Sequence, residues 1–240
     1  MVLNGNISGD DLEAGQAGPE PAAASVKRQI PVIGLVGGIG SGKSTVAKSL
    51  ASRRSVTILN ADEIGHRVLT EPEIKQQLHE RFGDAIFDEQ GNVNRSALGR
   101  RVFGASAERR TARSDLERIV HPRIGAELQQ EIERLRDAGG IEAILLDAAV
   151  LLETGWNQLA DRIVFVDCPL EQRLSRVEAS RGWDMTELRN REVSQYPCER
   201  KRAAAHAIID NSRDLTVAVR QLETILDQST RMRPSSSVAE

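Results

Sequence analysis

Four residues in the stretch VGGIGSGKST have the types and the spacing of a phosphate-binding loop. The pattern G-x-x-x-x-G-K-[ST] is filled by Gly37, Gly42, Lys43 and Ser44. Glycines allow backbone N–H groups to close around phosphate oxygens, and the helix predicted to follow attracts negative charge at its N-terminus. Lys43 would bridge the β and γ phosphates, and the Ser44 hydroxyl would ligate Mg²⁺. The pattern predicts a nucleoside triphosphate site.

A carboxylate follows the second predicted strand, in the stretch ILNAD that ends at Asp62. Ligands of open α/β sheets bind at the carboxyl edges of the strands. Asp62 could therefore accept a proton from an attacking hydroxyl, or hold an acceptor in line with the γ-phosphate. It could equally cap a helix over residues 63–69. The residues alone leave both interpretations open.

Positive charge for a phosphoryl transition state is concentrated in residues 173–191, on two helical patterns around a Gly-Trp-Asp turn. The arginines there are Arg173, Arg176, Arg181, Arg189 and Arg191. A two-helix lid with these side chains would close over the nucleotide and exclude water. For two of them, Arg173 and Arg189, a solvated helix face is the favoured interpretation.

Short apolar runs alternate with helical patterns and predict a doubly wound α/β core. The predicted strands are Pro31–Val36, Val56–Leu59, Ile141–Asp147, Arg162–Asp167 and Ala207–Ile209, followed by a helix over about 214–227. Strand signals vanish between about residues 63 and 139, which indicates a helical insertion. In that insertion Pro122 is expected to open a helix that ends at Gly139.

Composition indicates a globular protein with low-complexity ends. The chain has 240 residues, 40% hydrophobic and 28% charged, with a net charge of −3 that gives no argument for a nucleic-acid partner. Residues 1–29 and 229–240 are predicted to be disordered tails. Two cysteines make neither a disulfide framework nor a metal site, and no run is long enough to span a membrane. Cytoplasm is the expected location.

In order, the motifs GLVGGIGSGKST, NAD, IVHPRI, LLDAAVLLE, DCPLEQRLSR and REVSQYPCERKRAAAHAIIDN resemble those of the dephospho-CoA kinase family. The similarity covers about residues 31–228. It implies transfer of the ATP γ-phosphate to the ribose 3′-hydroxyl of dephospho-CoA, the last step of coenzyme A synthesis. It also implies a P-loop kinase core with a five-stranded parallel sheet (30–62 and 140–228), a helical CoA-accepting insertion (63–139) and a helical lid (about 173–195).

The resemblance assigns roles to residues that match the family's motifs. Asp62 becomes the catalytic carboxylate, with Lys43 and the lid arginines Arg176 and Arg191 beside it. Asn211 falls in the segment that approaches adenine, and His121 either contacts the substrate or caps the helix opened by Pro122. The residues implied to bind the ATP phosphates are Gly40, Ser41, Gly42, Lys43, Ser44 and Thr45. The expected cofactors are ATP and Mg²⁺, the latter at Ser44, in a monomer or weak homo-oligomer.

Three positions depart from the family's pattern: Asn60 replaces a usual carboxylate, Ala149 a proline, and His206 an aspartate. Metal or substrate contacts could differ there, and His206 is expected to be structural. Two rival functions remain open from sequence. One is a kinase for another small hydroxyl acceptor, such as a nucleoside or nucleotide. The other is an ATP-binding module without turnover, against which Asp62 and the lid arginines argue.

Overall fold

A computed structural model describes residues 30–104 and 106–231, and within them the chain forms one five-stranded sheet covered by helices. The predicted tail at residues 1–29 lies outside the described residues. The strands are β1 (Val32–Val36), β2 (Val56–Asn60), β3 (Ala143–Asp147), β4 (Arg162–Asp167) and β5 (Ala207–Asp210). Each lies within two residues of its predicted bounds.

Nine α-helices connect and cover these strands within residues 30–104 and 106–231. They are α1 (Lys43–Ala51), α2 (Ala61–Val68), α3 (Pro72–Phe82), α4 (Arg95–Val102), α5 (Ala107–Ala138), α6 (Leu170–Arg181), α7 (Met185–Glu192), α8 (Cys198–Ala203) and α9 (Leu215–Arg231). Among the described residues, no helix is both long and apolar enough to cross a membrane.

The sheet is parallel throughout, in the order β2-β3-β1-β4-β5. Every residue of β1 and β3 is buried, because helices pack on both faces of the sheet. Helices α1 and α9 pack on one face of the sheet through residues such as Leu50 and Leu222. The helices between β2 and β3 pack on the other face. This order brings the carboxyl ends of β1, β2 and β3 together at one edge.

The segment between β2 and β3 is helical, as predicted, apart from a 3-10 turn at Asp84–Ile86 and an antiparallel bridge between Phe87 and Val93. One prediction there was wrong, because Pro122 does not open a helix. It lies inside α5, a 32-residue helix. Apolar residues on both sides of it, Val120 and Ile124, lie on one buried face, so packing outweighs the hydrogen bond that proline removes.

The C-terminal helix α9 runs three residues into the segment 229–240 that was predicted as a tail. Ser229 is buried, and its hydroxyl donates a hydrogen bond to the Ile225 carbonyl at 2.7 Å, so this turn belongs to the folded core. Residues 232–240 lie outside the described residues.

Candidate active site

The loop between β1 and α1 has the backbone shape of a phosphate cradle. Gly40 and Gly42 have φ values of 78° and 90°, a left-handed conformation that side chains with a Cβ disfavour. A Cβ on Gly40 would lie 2.7 Å from the Arg173 carbonyl oxygen, so the loop also needs glycine for close packing against α6. Gly42 precedes α1 directly, which places the N-terminus of that helix at the loop.

Lys43 extends along this loop, and with the described residues its ammonium makes two long hydrogen bonds. Nζ donates to the carbonyl oxygens of Gly37 at 3.3 Å and Gly38 at 3.5 Å. Burial lowers the pKa of Lys43, and nearby carboxylates, Asp147 first and then Asp62, act in the opposite direction. A weakly bonded cation at a helix N-terminus is available to a phosphate.

The hydroxyl residues of the loop differ in exposure. Ser44 and Thr45 are exposed and lie in the lining of the cleft beside the loop. Ser41 is buried, its N–H donates to the Gly38 carbonyl at 3.1 Å, and its hydroxyl has no partner among the described residues. Ser41 therefore shapes the loop in this structure, whereas Ser44 and Thr45 are accessible to a ligand.

Two carboxylates stand near Lys43, at the ends of adjacent strands. Asp62 is exposed in the first turn of α2, and Asp147 is buried at the end of β3. The cap of α2 is Asn60, whose side chain accepts hydrogen bonds from the N–H groups of Asp62 and Glu63 at 2.9 and 3.3 Å. The alternative interpretation of Asp62 as a helix cap was therefore wrong, and the departure at Asn60 supplies the cap.

Two arginines of α6 hold the phosphate loop by hydrogen bonds to its backbone carbonyls. Arg176 donates to the carbonyl oxygens of Ser41 at 3.2 Å and Asn211 at 2.9 Å. Arg173 is only 7% exposed, donates to the Ile39 carbonyl at 3.2 Å and forms an ion pair with Glu192 of α7. The solvated surface position predicted for Arg173 was wrong, because the glycines of the loop leave room for its guanidinium.

Asn211 supports the same loop. Its buried side-chain amide donates to the Ser41 carbonyl at 2.7 Å, and it packs against Gly42. Because this amide is already bonded to the loop, the arrangement gives Asn211 a direct part in loop shape. A contact with adenine stays a prediction.

Arg191, on α7, also lines the cleft beside the loop. Its Nε donates to Glu187 at 2.7 Å, and its guanidinium lies 4.2 Å from the ring centre of Trp183 and 5.4 Å from that of Phe103. Phe103 belongs to the helical insertion and is 47% exposed. Arg191 thus joins the predicted lid to the insertion at the mouth of the cleft.

The cleft between these elements has a volume of about 1420 Å³. Lys43, Asp62 and Asp147 are among its lining residues. The helical insertion contributes a set of arginines to the same lining, which we call the basic wall: Arg100, Arg109, Arg110 and Arg113. A cleft lined by both a phosphate loop and a separate set of arginines suits two anionic ligands at once.

His121 does not line the cleft. Its ring packs edge-on against Trp156, with ring centres 5.5 Å apart, in the middle of α5. Burial lowers the pKa of His121, with Glu117 acting in the opposite direction. The helix-capping interpretation of His121 was wrong, because α5 continues on both sides of it, and its contact with a substrate stays a prediction.

Sequence reasoning missed several residues that complete the site. Asp147 was predicted only as the last residue of a strand, but it lines the cleft, whereas Asp167, at the end of β4, pairs with Arg202 outside the cleft lining. Lys201 was overlooked, although it is buried next to the cleft. The signal for it was a lysine inside an otherwise recognised motif.

His206 is structural, as predicted, since its Nδ1 accepts the Ile163 N–H at 3.0 Å.

Comparison with known proteins identifies the relatives of this chain. A family model described as dephospho-CoA kinase matches residues 31–216. The dephospho-CoA kinase of Methylococcus capsulatus is 40% identical over 185 residues, which are 76% of this chain and 88% of that protein. That of Carboxydothermus hydrogenoformans is 36% identical over 200 residues, 83% of this chain and 94% of the relative.

Solved structures agree with that match. A protein from Thermus thermophilus superposes with a TM-score of 0.68 at 32% identity, covering 83% of this chain and 98% of that one. A dephospho-CoA kinase from Campylobacter jejuni has a TM-score of 0.55 at 20% identity, covering 83% and 97%, and supports the fold alone.

Proposed function

Since this chain belongs to the dephospho-CoA kinase family, we propose that its cleft transfers the γ-phosphate of ATP to the ribose 3′-hydroxyl of dephospho-CoA. The observation that carries the proposal is that two cationic groups of residues line one cleft. Lys43 at the N-terminus of α1 belongs to the first, and the arginines of the insertion form the second. The first group suits the nucleotide donor, and the second suits the diphosphate of an anionic acceptor.

The residues beside the loop fit a magnesium ion. Oxygen donors suit Mg²⁺, and the cleft offers the accessible hydroxyl of Ser44 together with the carboxylates of Asp62 and Asp147. Burial lowers the pKa of Lys43, and the negative charge of Asp147, which lines the same cleft, acts to raise it. We propose Ser44 as a ligand, with Asp147 nearby. Bound Mg²⁺ would neutralise charge on the β and γ phosphates.

The chain's own groups would then position and stabilise rather than form covalent bonds. Asp62, exposed at the cleft, would hold the acceptor hydroxyl and take its proton. Lys43 would stabilise the charge that spreads over the transferred group, and Arg191 would add to it from the lid. The lid and insertion would together exclude water from the γ-phosphate.

Different segments of the chain would bind the two substrates. We propose that residues 30–62 and 140–228 bind the nucleotide, that residues 63–139 bind the acceptor, and that residues 173–195 act as the lid. The basic wall on α4 and α5 supports the second assignment, and the ion pair of Arg173 with Glu192 ties the lid helices together. A nucleic-acid partner is not part of the proposal, and we propose a monomer or weak homo-oligomer in the cytoplasm.

A direct assay tests this function. Purified protein is incubated with ATP and Mg²⁺, and ADP release is measured with dephospho-CoA, adenosine, nucleoside monophosphates or pantetheine, each tried alone. We expect turnover with dephospho-CoA and 3′-phosphorylation of its ribose by mass spectrometry. Faster turnover with a nucleoside or nucleotide would favour the other-acceptor kinase, and ATP binding without turnover would favour a non-catalytic module.

The two lid arginines should respond differently to replacement. Arg191→Ala should lower kcat more than it raises KM for ATP, because Arg191 lines the cleft and its side-chain contacts within residues 30–104 and 106–231 are with Glu187 and aromatic rings. Arg176→Ala should instead raise KM for ATP and lower the melting temperature, because Arg176 joins the Ser41 carbonyl of the phosphate loop to the Asn211 carbonyl after β5. Steady-state kinetics and thermal melts measure both.

Arg189→Ala is the matched control, since Arg189 is an exposed arginine on the same helix as Arg191 and is absent from the lining of the cleft. Its kinetics should match those of the unaltered protein. Equal effects of the Arg189 and Arg191 replacements would contradict a special role for Arg191.

A further inference from the structure

A buried lysine next to the cleft has no part in the mechanism described above. Lys201, in the short helix α8, is 1% exposed. Its ammonium donates to the Ala149 carbonyl oxygen at 2.9 Å and to the Gln195 side-chain oxygen at 2.9 Å, and it pairs with the Glu153 carboxylate at 3.1 Å. Two hydrogen bonds and one ion pair therefore hold the ammonium in place.

The partners of Lys201 belong to two separate segments that border the cleft. Ala149 lies in the loop that follows β3, two residues after Asp147, and Gln195 lies at the end of the lid segment. Glu153 adds a second link between the same segments, because its Oε1 also accepts the Tyr196 N–H at 2.6 Å. One buried charge therefore joins the loop after β3 to the segment at the end of the lid.

Stability alone does not explain this buried ion pair. Transferring a lysine and a glutamate out of water carries a large desolvation penalty, and apolar replacement of such pairs is often neutral or stabilising. In addition, Glu153 Oε2 is buried and has no hydrogen-bond partner among the described residues. A cluster with this cost, located at a cleft, is better explained by the geometry it imposes than by the stability it adds.

We propose that Lys201 is a positioning residue for phosphoryl transfer, which holds the loop after β3 and the end of the lid in the relative position that the reaction needs. This inference rests on the proposed function and extends it to a residue outside the cleft lining. Lys201 also lies within electrostatic reach of Lys43, since its positive charge contributes to the lowered pKa of Lys43. Its charge would thus add to the field that a bound triphosphate meets.

The experiment separates positioning from stability. Lys201→Met alone leaves Glu153 buried and unpaired, so the decisive variant is the double replacement E153Q/K201M, which removes both charges and keeps the shapes. We expect its melting temperature to stay near that of the unaltered protein, with kcat for dephospho-CoA lower by about 10²-fold, the scale of a small misplacement of reacting groups. KM for ATP should change much less.

A second variant decides the question if the double replacement does not fold. Gln195→Ala removes only the link from Lys201 to the lid and leaves the buried ion pair intact, and it should lower kcat by about 10-fold. Arg202→Met is the matched control, because it removes the neighbouring cation of α8 and an exposed ion pair with Asp167. The control should keep normal kinetics.

Two results would overturn the inference. One is a folded E153Q/K201M protein with near-normal kcat, and the other is a near-normal kcat for Gln195→Ala. Both are judged against the unaltered protein assayed in parallel with dephospho-CoA. If that protein itself yields no product, the proposed function fails, which is a different outcome from an active protein whose variants are unaffected.

Discussion

Lys43→Ala should lower kcat by about 10³-fold while the protein remains folded. The Lys43 ammonium is bonded only at 3.3 and 3.5 Å to loop carbonyls, so its loss removes little native stabilisation. Burial already disfavours its charged form, which further limits the cost of removing it. In the reaction, by contrast, the Lys43 charge would be needed at the start of α1, where the β and γ phosphates would lie.

Lys48→Ala is the control for that variant. Lys48 is an exposed lysine on the same helix and does not line the cleft, so its loss changes the net charge equally without touching the loop. Circular dichroism and thermal melts establish folding, and single-turnover assays separate chemistry from product release. Near-normal turnover of folded Lys43→Ala protein would contradict the role assigned to the loop.

The sheet was predictable because its strands are buried on both faces. A parallel strand covered by helices becomes a continuous apolar run, and AILLD and IVFVD have that form at β3 and β4. Such a pattern predicts the position of a strand well but its first and last residues poorly. Ile141 and Glu142 were therefore included in β3, although pairing with β1 begins only at Ile144. The resemblance implied five parallel strands, but the order β2-β3-β1-β4-β5 was not predicted, because it depends on pairing between residues far apart in sequence.

Helix boundaries in the insertion were less predictable. Proline at a first turn and proline inside a helix have the same local signature, and tertiary packing decides between them. Here α5 packs against α2, α3 and α4, with Leu128 and Ile132 continuing the buried face after Pro122. Such packing depends on residues far away in sequence, which no local pattern contains.

The same distinction divides the site. The phosphate loop is a local motif, so its glycines, Lys43 and Ser44 were identified from spacing alone. The supports of that loop, Arg173 and Asn211, act across more than 130 residues, and their hydrogen bonds become visible only in the fold. From sequence alone, therefore, a charged residue on a predicted helix could be either a solvent-exposed surface residue or a support of the phosphate loop. Only its hydrogen-bond partners in the fold decide between the two.

Asp62→Asn should lower kcat by about 10²–10⁴-fold and leave stability almost unchanged. Asparagine keeps the shape of the side chain but can neither take a proton from the acceptor hydroxyl nor carry charge. Asn60 already caps α2, so the replacement does not disturb the cap. The remaining stability effect is the loss of one negative charge in the first turn of a helix, about 0.3–1 kcal/mol at an exposed position.

Glu63→Gln separates those two effects. Glu63 follows Asp62 in the same turn and is equally exposed, but the cleft lining does not include it. Its replacement should cause a similar small loss of stability and no loss of kcat. Because Asn60 stands where the family has a carboxylate, no acidic side chain at that position could substitute for Asp62. A folded Asp62→Asn protein that keeps most of its dephospho-CoA phosphorylation would therefore exclude Asp62 as the catalytic carboxylate and direct attention to Asp147, the other carboxylate near Lys43.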